Sequence, residues 1–230
     1  LETVRASGEF DAIAIAYLNS YANPAHEQRT ALAVAEAGIN LPVTCSHEVI
    51  PVFREYERYS TTALSAYVQP VIGAYLQRFE QQLNAEGFAG HFSVMQSNGG
   101  RLPANAMERN AITSLFSGPA AGVVGATRQA GRSGYHDVIT FDMGGTSTDV
   151  CLVENGSPQV IAETEVDGLP IKTPVLDIAT VGAGGGSIVW VDDGGLLRVG
   201  PESAGAAPGP ACYARGGVLP TVTDAHVVRG

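Results

Sequence analysis

In the first fifty residues, two continuous apolar runs flank a segment with helical spacing. A continuous apolar run at 10–18 predicts a buried strand. Helical spacing follows from the Asn-Pro pair at 23–24 through residue 35, and Gly38 is the expected end of that helix. A second apolar run at 42–49 predicts another strand. Strand, helix and strand in succession favour a β-α-β unit with parallel strands.

The middle of the chain carries its longest periodic pattern. Apolar residues recur at helical spacing over about 60–86, which predicts a helix that packs one face on the core. Pro70 interrupts the pattern and predicts a kink, and Gly87 ends it. A short strand is predicted at 92–96, and a helix at 117–131 begins with Ser-Gly-Pro.

Two short apolar runs at 138–153 flank a small polar segment. That segment, Asp-Met-Gly-Gly-Thr-Ser-Thr-Asp at 142–149, predicts a β-hairpin with a tight tip. An Asn-Gly turn at 155–156 and an apolar stretch at 159–162 then predict a third strand of the same meander. The chain is therefore expected to be an α/β protein with a mixed sheet and flanking helices.

The hairpin tip combines three kinds of phosphate-binding group. Glycines expose backbone amides to an anion, hydroxyls add donors, and paired carboxylates beside a phosphate favour a bridging divalent cation. The glycines are Gly144 and Gly145, the hydroxyls belong to Thr146, Ser147 and Thr148, and the carboxylates are those of Asp142 and Asp149. A plain Gly-Gly turn is the structural alternative, and the flanking acids and hydroxyls favour phosphate binding over it.

A second glycine-rich loop lies at 182–187, before a strand predicted at 188–191. A dinucleotide-binding loop opens a helix instead, so this loop does not fit that class. The stretch at 200–217 is rich in glycine and proline, and it fits either a substrate pocket or a structural loop.

Composition narrows the class of protein. The chain has 230 residues, 45% of them hydrophobic and 16% charged, which is typical of a globular protein. Its net charge is −10 with no basic cluster, so nucleic acid and anionic membranes are not expected partners. Neither a membrane-spanning run nor a signal peptide is visible, and the three cysteines are widely spaced. We therefore expect a cytoplasmic protein with reduced thiols.

Eight short motifs together give a family resemblance over essentially the whole chain. In these motifs the sequence resembles the hydantoinase A/oxoprolinase family, which includes N-methylhydantoinase A, 5-oxoprolinase and acetone carboxylase β-type subunits. The motifs are SYANPAHE (20–27), FREYERYSTT (53–62), MQSNGG (95–100), SGPAAGVVGA (117–126), FDMGGTSTDV (141–150), VGAGGGSI (181–188), RVGPESAGAAPGPACYARGG (198–217) and PTVTDA (220–225).

The resemblance implies an actin-like ATPase fold of ribonuclease H-like lobes. Two such lobes close over ATP, and each offers one phosphate-binding hairpin. FDMGGTSTD resembles the second of these hairpins, and the first is expected outside this chain. We therefore expect an internal piece of a longer protein, with 1–52 as the tail of the first lobe and 53–230 as the start of the second. Such a piece is expected to be inactive alone.

The resemblance also implies an activity and cofactors. It implies ATP- and Mg²⁺-dependent hydrolysis of a cyclic amide or imide, by phosphoryl transfer to a carbonyl oxygen, with a B-type partner subunit or fused domain. Asp142 and Asp149 would hold Mg²⁺ or orient the attacking oxygen, while Gly184, Gly185 and Gly186 would lie against the nucleotide. The alternatives are an ATP-dependent ketone carboxylase subunit, a non-catalytic actin-like module and a small-molecule kinase.

Charged residues near the start of the long helix leave two interpretations open. Arg54, Glu55, Glu57 and Arg58 fit a solvated face with ion pairs between successive turns, which we favour, or a contact with another lobe or with substrate. His47 and Glu48 lack the spacing of metal ligands and are expected to be structural.

Overall fold

The computed structural model describes residue 2 and residues 8–230, which form two compact units. The first unit contains the described residues up to Ala121 together with Val160–Leu176. The second contains Gly122–Gln159 and Asp177–Gly230. The predicted boundary between two lobes, at residues 52 and 53, refers to the whole protein and not to these two units. It stays a prediction.

Six α-helices, two short 3-10 helices (Ala111–Ser114 and Ala211–Tyr213) and fourteen strands are formed by the described residues. The helices are α1 (Ala25–Glu36), α2 (Ser46–Val49), α3 (Glu55–Ala85), α4 (Ala104–Arg109), α5 (Ser117–Arg132) and α6 (Val222–Arg229). The strands are β1 (Ile13–Ile15), β2 (Val43–Cys45), β3 (Ser93–Met95), β4 (Arg101–Pro103), β5 (Val138–Met143), β6 (Thr148–Glu154), β7 (Ser157–Pro158), β8 (Val160–Ile161), β9 (Thr164–Val166), β10 (Leu169–Ile171), β11 (Val175–Leu176), β12 (Ile178–Val181), β13 (Ser187–Val191) and β14 (Leu197–Ser203).

The first unit begins with the predicted β-α-β arrangement. Strands β1 and β2 pair in parallel, with Ile13 opposite Val43, and α1 lies between them in sequence. Gly38 follows α1 with a φ of 70°, the left-handed conformation that ends many helices. The strand predicted at 42–49 was too long, because the chain turns into α2 at Ser46.

The long helix α3 organises the rest of the first unit. It begins at Glu55, about one turn earlier than its apolar pattern, continues through Pro70, and is followed by Gly87 with a φ of 76°. Its Leu76 packs with Ala104 and Met107 in a core that also includes Ile72 and Phe92. The hairpin β3–β4 completes that core through Val94 and Leu102.

The second unit is built on the predicted hairpin. Strands β5 and β6 pair antiparallel, and β12 pairs with the other edge of β6. The prediction that 159–162 forms the third strand of this meander was wrong. After the turn, only Ser157 and Pro158 pair with β6, and Pro158 has no amide hydrogen to extend the ladder. Strand β8 pairs with β11 of the first unit instead.

The remaining elements of the second unit are a hairpin and a helix. Strands β13 and β14 form an antiparallel hairpin, which confirms the strand predicted at 188–191. Helix α6 follows and begins with a capping box between Thr221 and Asp224. None of the described helices is both long and apolar enough to cross a membrane. All three cysteines are free.

Candidate functional site

The two tip aspartates lie directly opposite each other on β5 and β6. The register pairs Asp142 with Asp149, so both side chains project from the same face of the hairpin. Asp142 is exposed, and its Oδ2 lies 3.5 Å from where a Cβ on Gly122 of α5 would stand. Asp149 is half-buried and accepts a hydrogen bond from the Thr180 hydroxyl at 2.7 Å. Two carboxylates therefore face one another at an accessible position.

The glycine-rich loop binds the hairpin tip through its backbone. Gly185 N–H donates to Gly144 O at 2.9 Å, and Gly186 N–H donates to Gly145 O at 2.7 Å. The loop is fixed in turn, because Thr223 donates its N–H and its hydroxyl to Gly185 O at 2.8 and 2.7 Å. The tip carbonyls are therefore held on the side of the glycine loop.

This anchoring sets the direction of the tip amides. In a planar trans peptide the carbonyl and the next N–H point opposite ways. With the oxygens of Gly144 and Gly145 turned toward the loop, the N–H groups of Gly145 and Thr146 point away from it. Among the residues that the structure describes, neither amide has a hydrogen-bond partner. Two adjacent unpaired donors of this kind can bind an anion.

Neither backbone conformation nor packing within the described chain explains why residue 145 is a glycine. Its φ lies outside the left-handed region, and a Cβ there would meet no atom within 4 Å. A glycine in open space at a tip with free amides is consistent with close approach of a ligand to the backbone. The plain-turn alternative does not supply a reason for it.

The loop glycines do have a structural reason. A Cβ on Gly184 would lie 2.7 Å from Gly144 O and 2.8 Å from Ser147 N, and a Cβ on Gly186 would lie 2.9 Å from Gly145 O. A Cβ on Gly185 would meet the Thr223 hydroxyl at 2.8 Å. These three glycines therefore allow the loop to reach the tip, and their contact with a nucleotide stays a prediction.

The predicted hydroxyl ligands divide into two groups. Thr148 is buried and donates its hydroxyl to Ala183 O at 2.5 Å, so this donor is used within the chain. Thr146 is exposed and Ser147 is half-buried. Neither of these two hydroxyls has a partner in the part of the chain that the structure describes. Thr146 and Ser147 therefore keep free donors at the tip.

An open pocket of about 680 Å³ adjoins the tip within the second unit. Gly144, Gly145 and Thr146 line one part of it, and Tyr213, Thr223 and His226 line another. The pocket is large enough for a small organic ligand.

Asp224 holds the rim of this pocket in place. Its carboxylate accepts hydrogen bonds from Cys212 N–H at 2.7 Å and from Thr221 N–H and hydroxyl at 2.8 Å each. Hydrogen bonding from Cys212, first from its side chain and then from its backbone, lowers the pKa of Asp224. The same contact raises the pKa of the Cys212 thiol, so Cys212 is a weak candidate nucleophile. Both residues fix the loop before α6.

A second polar cluster lies in the first unit, around Arg58 and Glu27. Both side chains are fully buried, and Arg58 Nη1 lies 3.7 Å from Glu27 Oε1. Arg58 also donates to Ser20, Ser46 and Glu55, and to Tyr17 O at 2.6 Å. The expectation of a solvated face was wrong for Arg58, although Arg54 and Glu57 do form the exposed ion pair that it implies.

Sequence reasoning missed Glu27 and the burial of Arg58, because a single sequence does not reveal a buried charge. The available signal was their position: Glu27 ends the motif at 20–27, and Arg58 lies inside the motif at 53–62. His47 belongs to the same cluster, since its Nδ1 lies 2.7 Å from Glu27 Oε2. With Cys45 these residues place a thiol, an imidazole and a carboxylate within 4.8 Å of one another.

Comparisons with known proteins converge on one group of enzymes. The hydantoinase/oxoprolinase family model matches residues 58–230. The chain is 43% identical to the caprolactamase subunit alpha of Pseudomonas jessenii over 96% of its own length and 32% of that protein. It is 41% identical to 5-oxoprolinase of Saccharomyces cerevisiae over 100% of its own length and 17% of that protein.

Two solved structures share the fold. An ATP-dependent caprolactamase from P. jessenii aligns with a TM-score of 0.82 and 42% identity, covering 96% of this chain and 32% of that one. An acetone carboxylase in its nucleotide-free state, from work on ATP-dependent acetone carboxylation, aligns with a TM-score of 0.76 and 29% identity, covering 99% and 33%. The chain thus spans about a third of each, and the predicted α/β fold and its partial extent are confirmed.

Proposed function

Since the chain belongs to the hydantoinase/oxoprolinase family, we propose that it is the nucleotide-binding part of an ATP-dependent enzyme that opens a cyclic amide or imide. The observation that carries this proposal is the hairpin tip, with two outward amides, an uncrowded Gly145 and two facing carboxylates. Relatives named 5-oxoprolinase and caprolactamase act on cyclic amides, which supports the substrate class.

The residues of the tip fit a magnesium nucleotide. The amides of Gly145 and Thr146, with the hydroxyls of Thr146 and Ser147, are the donors for a phosphate. Asp142 and Asp149 repel each other when both are ionised, and a divalent cation between them or beside them removes that repulsion. The chemistry that MgATP supplies is transfer of its terminal phosphoryl group to the carbonyl oxygen of the substrate.

In this scheme the chain's own residues position the phosphoryl group and neutralise its negative charge. Phosphoryl transfer depends chiefly on alignment and on stabilising spread negative charge, which backbone donors in a fixed orientation provide. The anchoring of Gly144 O and Gly145 O by Gly185 and Gly186 keeps that orientation. Gly184, Gly185 and Gly186 then act first through the shape of the tip, and a direct nucleotide contact remains part of the proposal.

A ketone carboxylase subunit is the second candidate. The fold shared with acetone carboxylase favours it, and so does 38% identity to the acetophenone carboxylase gamma subunit of Aromatoleum aromaticum. The phosphorylated atom would be a carbonyl or enolate oxygen in either reaction. A non-catalytic module or a small-molecule kinase has no specific observation in its favour. Because the caprolactamase and carboxylase relatives are subunits, we propose a second subunit as partner.

The test uses the full-length protein with its partner subunit. ADP release is measured with MgATP and a panel of hydantoin, 5-oxoproline, a lactam, and ketones with bicarbonate. Release that depends on a cyclic amide supports the first candidate, and release that depends on ketone and bicarbonate supports the second. If none of these substrates elicits ADP release, the proposed activity is wrong.

A variant pair connects the activity to the tip. Asp142→Asn with Asp149→Asn is expected to weaken MgATP binding at least about tenfold by calorimetry, because metal affinity depends on the carboxylates. Asp193→Asn is the matched control, since Asp193 is an exposed acid elsewhere in the second unit. Equal MgATP affinity in both variants would remove the proposed metal role of the pair.

A further inference from the structure

The pocket beside the hairpin tip has a wall that the proposed nucleotide site does not use. The pocket, of about 680 Å³, lies wholly within the second unit. Its first wall is the tip, at residues 143–146. Its second wall is formed by Ala206, Pro210 and Tyr213 of the loop before α6, and by His226 on α6. Because both walls belong to one compact unit, they enclose a single space.

The neighbours of Tyr213 hold its ring in place on the second wall. Gly209 has a φ of 76°, and a Cβ there would stand 3.2 Å from Cδ2 of Tyr213, so the backbone approaches the ring closely. Arg215 lies over the same ring, with Cζ 5.9 Å from its centroid. Asp224 accepts a hydrogen bond from the preceding residue, Cys212, at 2.7 Å. Tyr213 is therefore positioned by its surroundings while 51% of it stays exposed.

The polar side-chain atoms of the second wall are free to bind a ligand. Within the described residues, the Tyr213 hydroxyl and the two ring nitrogens of His226 have no hydrogen-bond partner. Thr223, which also lines the pocket, donates its hydroxyl to Gly185 O at 2.7 Å. A neutral imidazole offers one donor and one acceptor, and a phenol hydroxyl serves as either. The second wall can thus hydrogen-bond a ligand without breaking a contact within the described chain.

The lining of the pocket suits an uncharged ligand. None of the described residues that line it is Asp, Glu, Lys or Arg. Glycines and small or aromatic side chains make up most of the lining, as in sites for small organic molecules. The proposed magnesium ligands, Asp142 and Asp149, lie outside it. The pocket is therefore not suited to the magnesium polyphosphate itself.

Two uncharged groups of the proposed reaction remain as occupants, the nucleoside and the carbonyl substrate. Thr146 lines the pocket, and its hydroxyl is one of the proposed phosphate donors. In a reactive complex the attacking oxygen lies about 3–3.5 Å from the phosphorus, so the substrate must sit next to the terminal phosphate. The nucleoside is separated from that phosphate by the rest of the triphosphate chain. A pocket directly against the tip therefore favours the carbonyl substrate.

We propose that this pocket is the subsite for the carbonyl substrate, and that Tyr213 and His226 determine its specificity. This inference rests on the proposed function. The Tyr213 ring packs against the flat amide group, and a ring nitrogen of His226 accepts a hydrogen bond from the substrate N–H. That hydrogen bond increases the electron density on the carbonyl oxygen, which is the atom that takes the phosphoryl group.

The proposal gives a use to the glycine- and proline-rich stretch at 200–217. Of its two interpretations, substrate pocket and structural loop, the first is the one that employs the free polar atoms of the second wall. It also defines a substrate class, because only a cyclic amide or imide with a free N–H can donate to His226. N-alkylated amides and ketones lack that donor.

The first test measures recognition of the N–H in the full-length enzyme with its partner subunit. From ADP release at saturating MgATP, wild-type enzyme should use a lactam at least about tenfold better in kcat/KM than the N-methyl derivative of that lactam. His226→Ala should reduce this ratio below about threefold, because the acceptor is removed. His136→Ala is the matched control, since His136 is an exposed histidine of the second unit outside the pocket lining. It should keep the wild-type ratio.

The second test separates substrate binding from nucleotide binding. Tyr213→Ala should raise the KM for the lactam at least about tenfold, while MgATP affinity by calorimetry changes less than about twofold. Tyr135→Ala is the matched control, because Tyr135 is 67% exposed in the same unit and does not line the pocket. Ala206→Leu, at an exposed position of the second wall, covers the case in which Tyr213→Ala misfolds. Its added bulk should raise the KM for a seven-membered lactam more than for a five-membered one.

The outcomes distinguish the two levels of proposal. If wild-type enzyme releases ADP with a cyclic amide, and His226→Ala and Tyr213→Ala keep the wild-type ratio and KM, the inference about the pocket is wrong and the proposed function stands. Weaker MgATP binding with an unchanged lactam KM in Tyr213→Ala would assign the pocket to the nucleoside and overturn the inference. If wild-type enzyme releases no ADP with any carbonyl substrate, the proposed function fails, and the substrate subsite fails with it.

Discussion

Replacing Arg58 with methionine tests whether the buried cluster holds the first unit together. The substitution keeps much of the side-chain length but removes the charge that faces Glu27 at 3.7 Å and the donor to Tyr17 O at 2.6 Å. Removing one partner of a buried ion pair costs about 3–5 kcal/mol, because the other charge is left uncompensated. The opening equilibrium of the cluster should therefore rise by roughly two to four powers of ten.

Amide hydrogen exchange measures the opening of the cluster at the residues that form it. The amides of Tyr17 and His47 both donate to Glu27, so their protection reports local opening of the cluster. In the full-length protein at pH 7, exchange of the peptides that contain them should accelerate at least about 100-fold in Arg58→Met.

Arg54→Met provides the matched control. Arg54 directly precedes the same helix and pairs with Glu57 three residues on, but its side chain is 54% exposed. An exposed pair contributes about 0–1 kcal/mol, so exchange should change by less than about fivefold. Equal acceleration in the two variants would refute the argument that burial sets the cost. Adding Glu27→Gln to Arg58→Met should recover part of the protection, because it removes the stranded charge.

Two further predictions concern the tip and the pH dependence. Gly184→Ala should weaken MgATP binding at least about tenfold by calorimetry, because its Cβ would stand 2.7 Å from Gly144 O. Gly182→Ala is the matched control, since a Cβ at that position meets nothing within 4 Å and MgATP should bind normally. Equal MgATP affinity in the two variants would contradict the anchoring of the tip. Since the pKa of Glu27 is lowered from 4.5 to about 2, its contribution is complete above pH 4.5 and is lost as the pH falls toward 2. The unfolding free energy from urea titrations should thus decrease by up to about 3 kcal/mol between pH 5 and 2, and Glu27→Gln should lack this part of the decrease.

The elements that could be predicted from the sequence are those with a strong local signal. The apolar stripe over 60–86 predicted most of α3, and Gly87 ends that helix through its own backbone preference. The hairpin at 138–153 followed from two apolar runs around a glycine pair. The failures were non-local: the chain turns into α2 at Ser46, where the Ser46 hydroxyl donates to Glu27 on α1, and the partner of β8 is β11.

The candidate site was predictable in composition but not in geometry. The residues of the tip could be named because glycines, hydroxyls and acids are adjacent in sequence. The Thr148 hydroxyl donates to Ala183 O, and this contact joins segments that are distant in sequence. No local pattern encodes such a contact. The same holds for Arg58, whose burial depends on Ser20, Glu27 and Ser46 converging on one guanidinium.

The contact between the glycine loop and the hairpin implies that the proposed anion recognition is not a property of either segment alone. A synthetic hairpin with the sequence of residues 138–153 would contain every acid, hydroxyl and glycine of the tip. It would lack Gly185 and Gly186, whose amides turn the two tip carbonyls to one side. Without that restraint its peptide planes could rotate, and the tip amides would no longer point in one direction. Transplanting this motif into another scaffold therefore requires both pieces of chain, held in register.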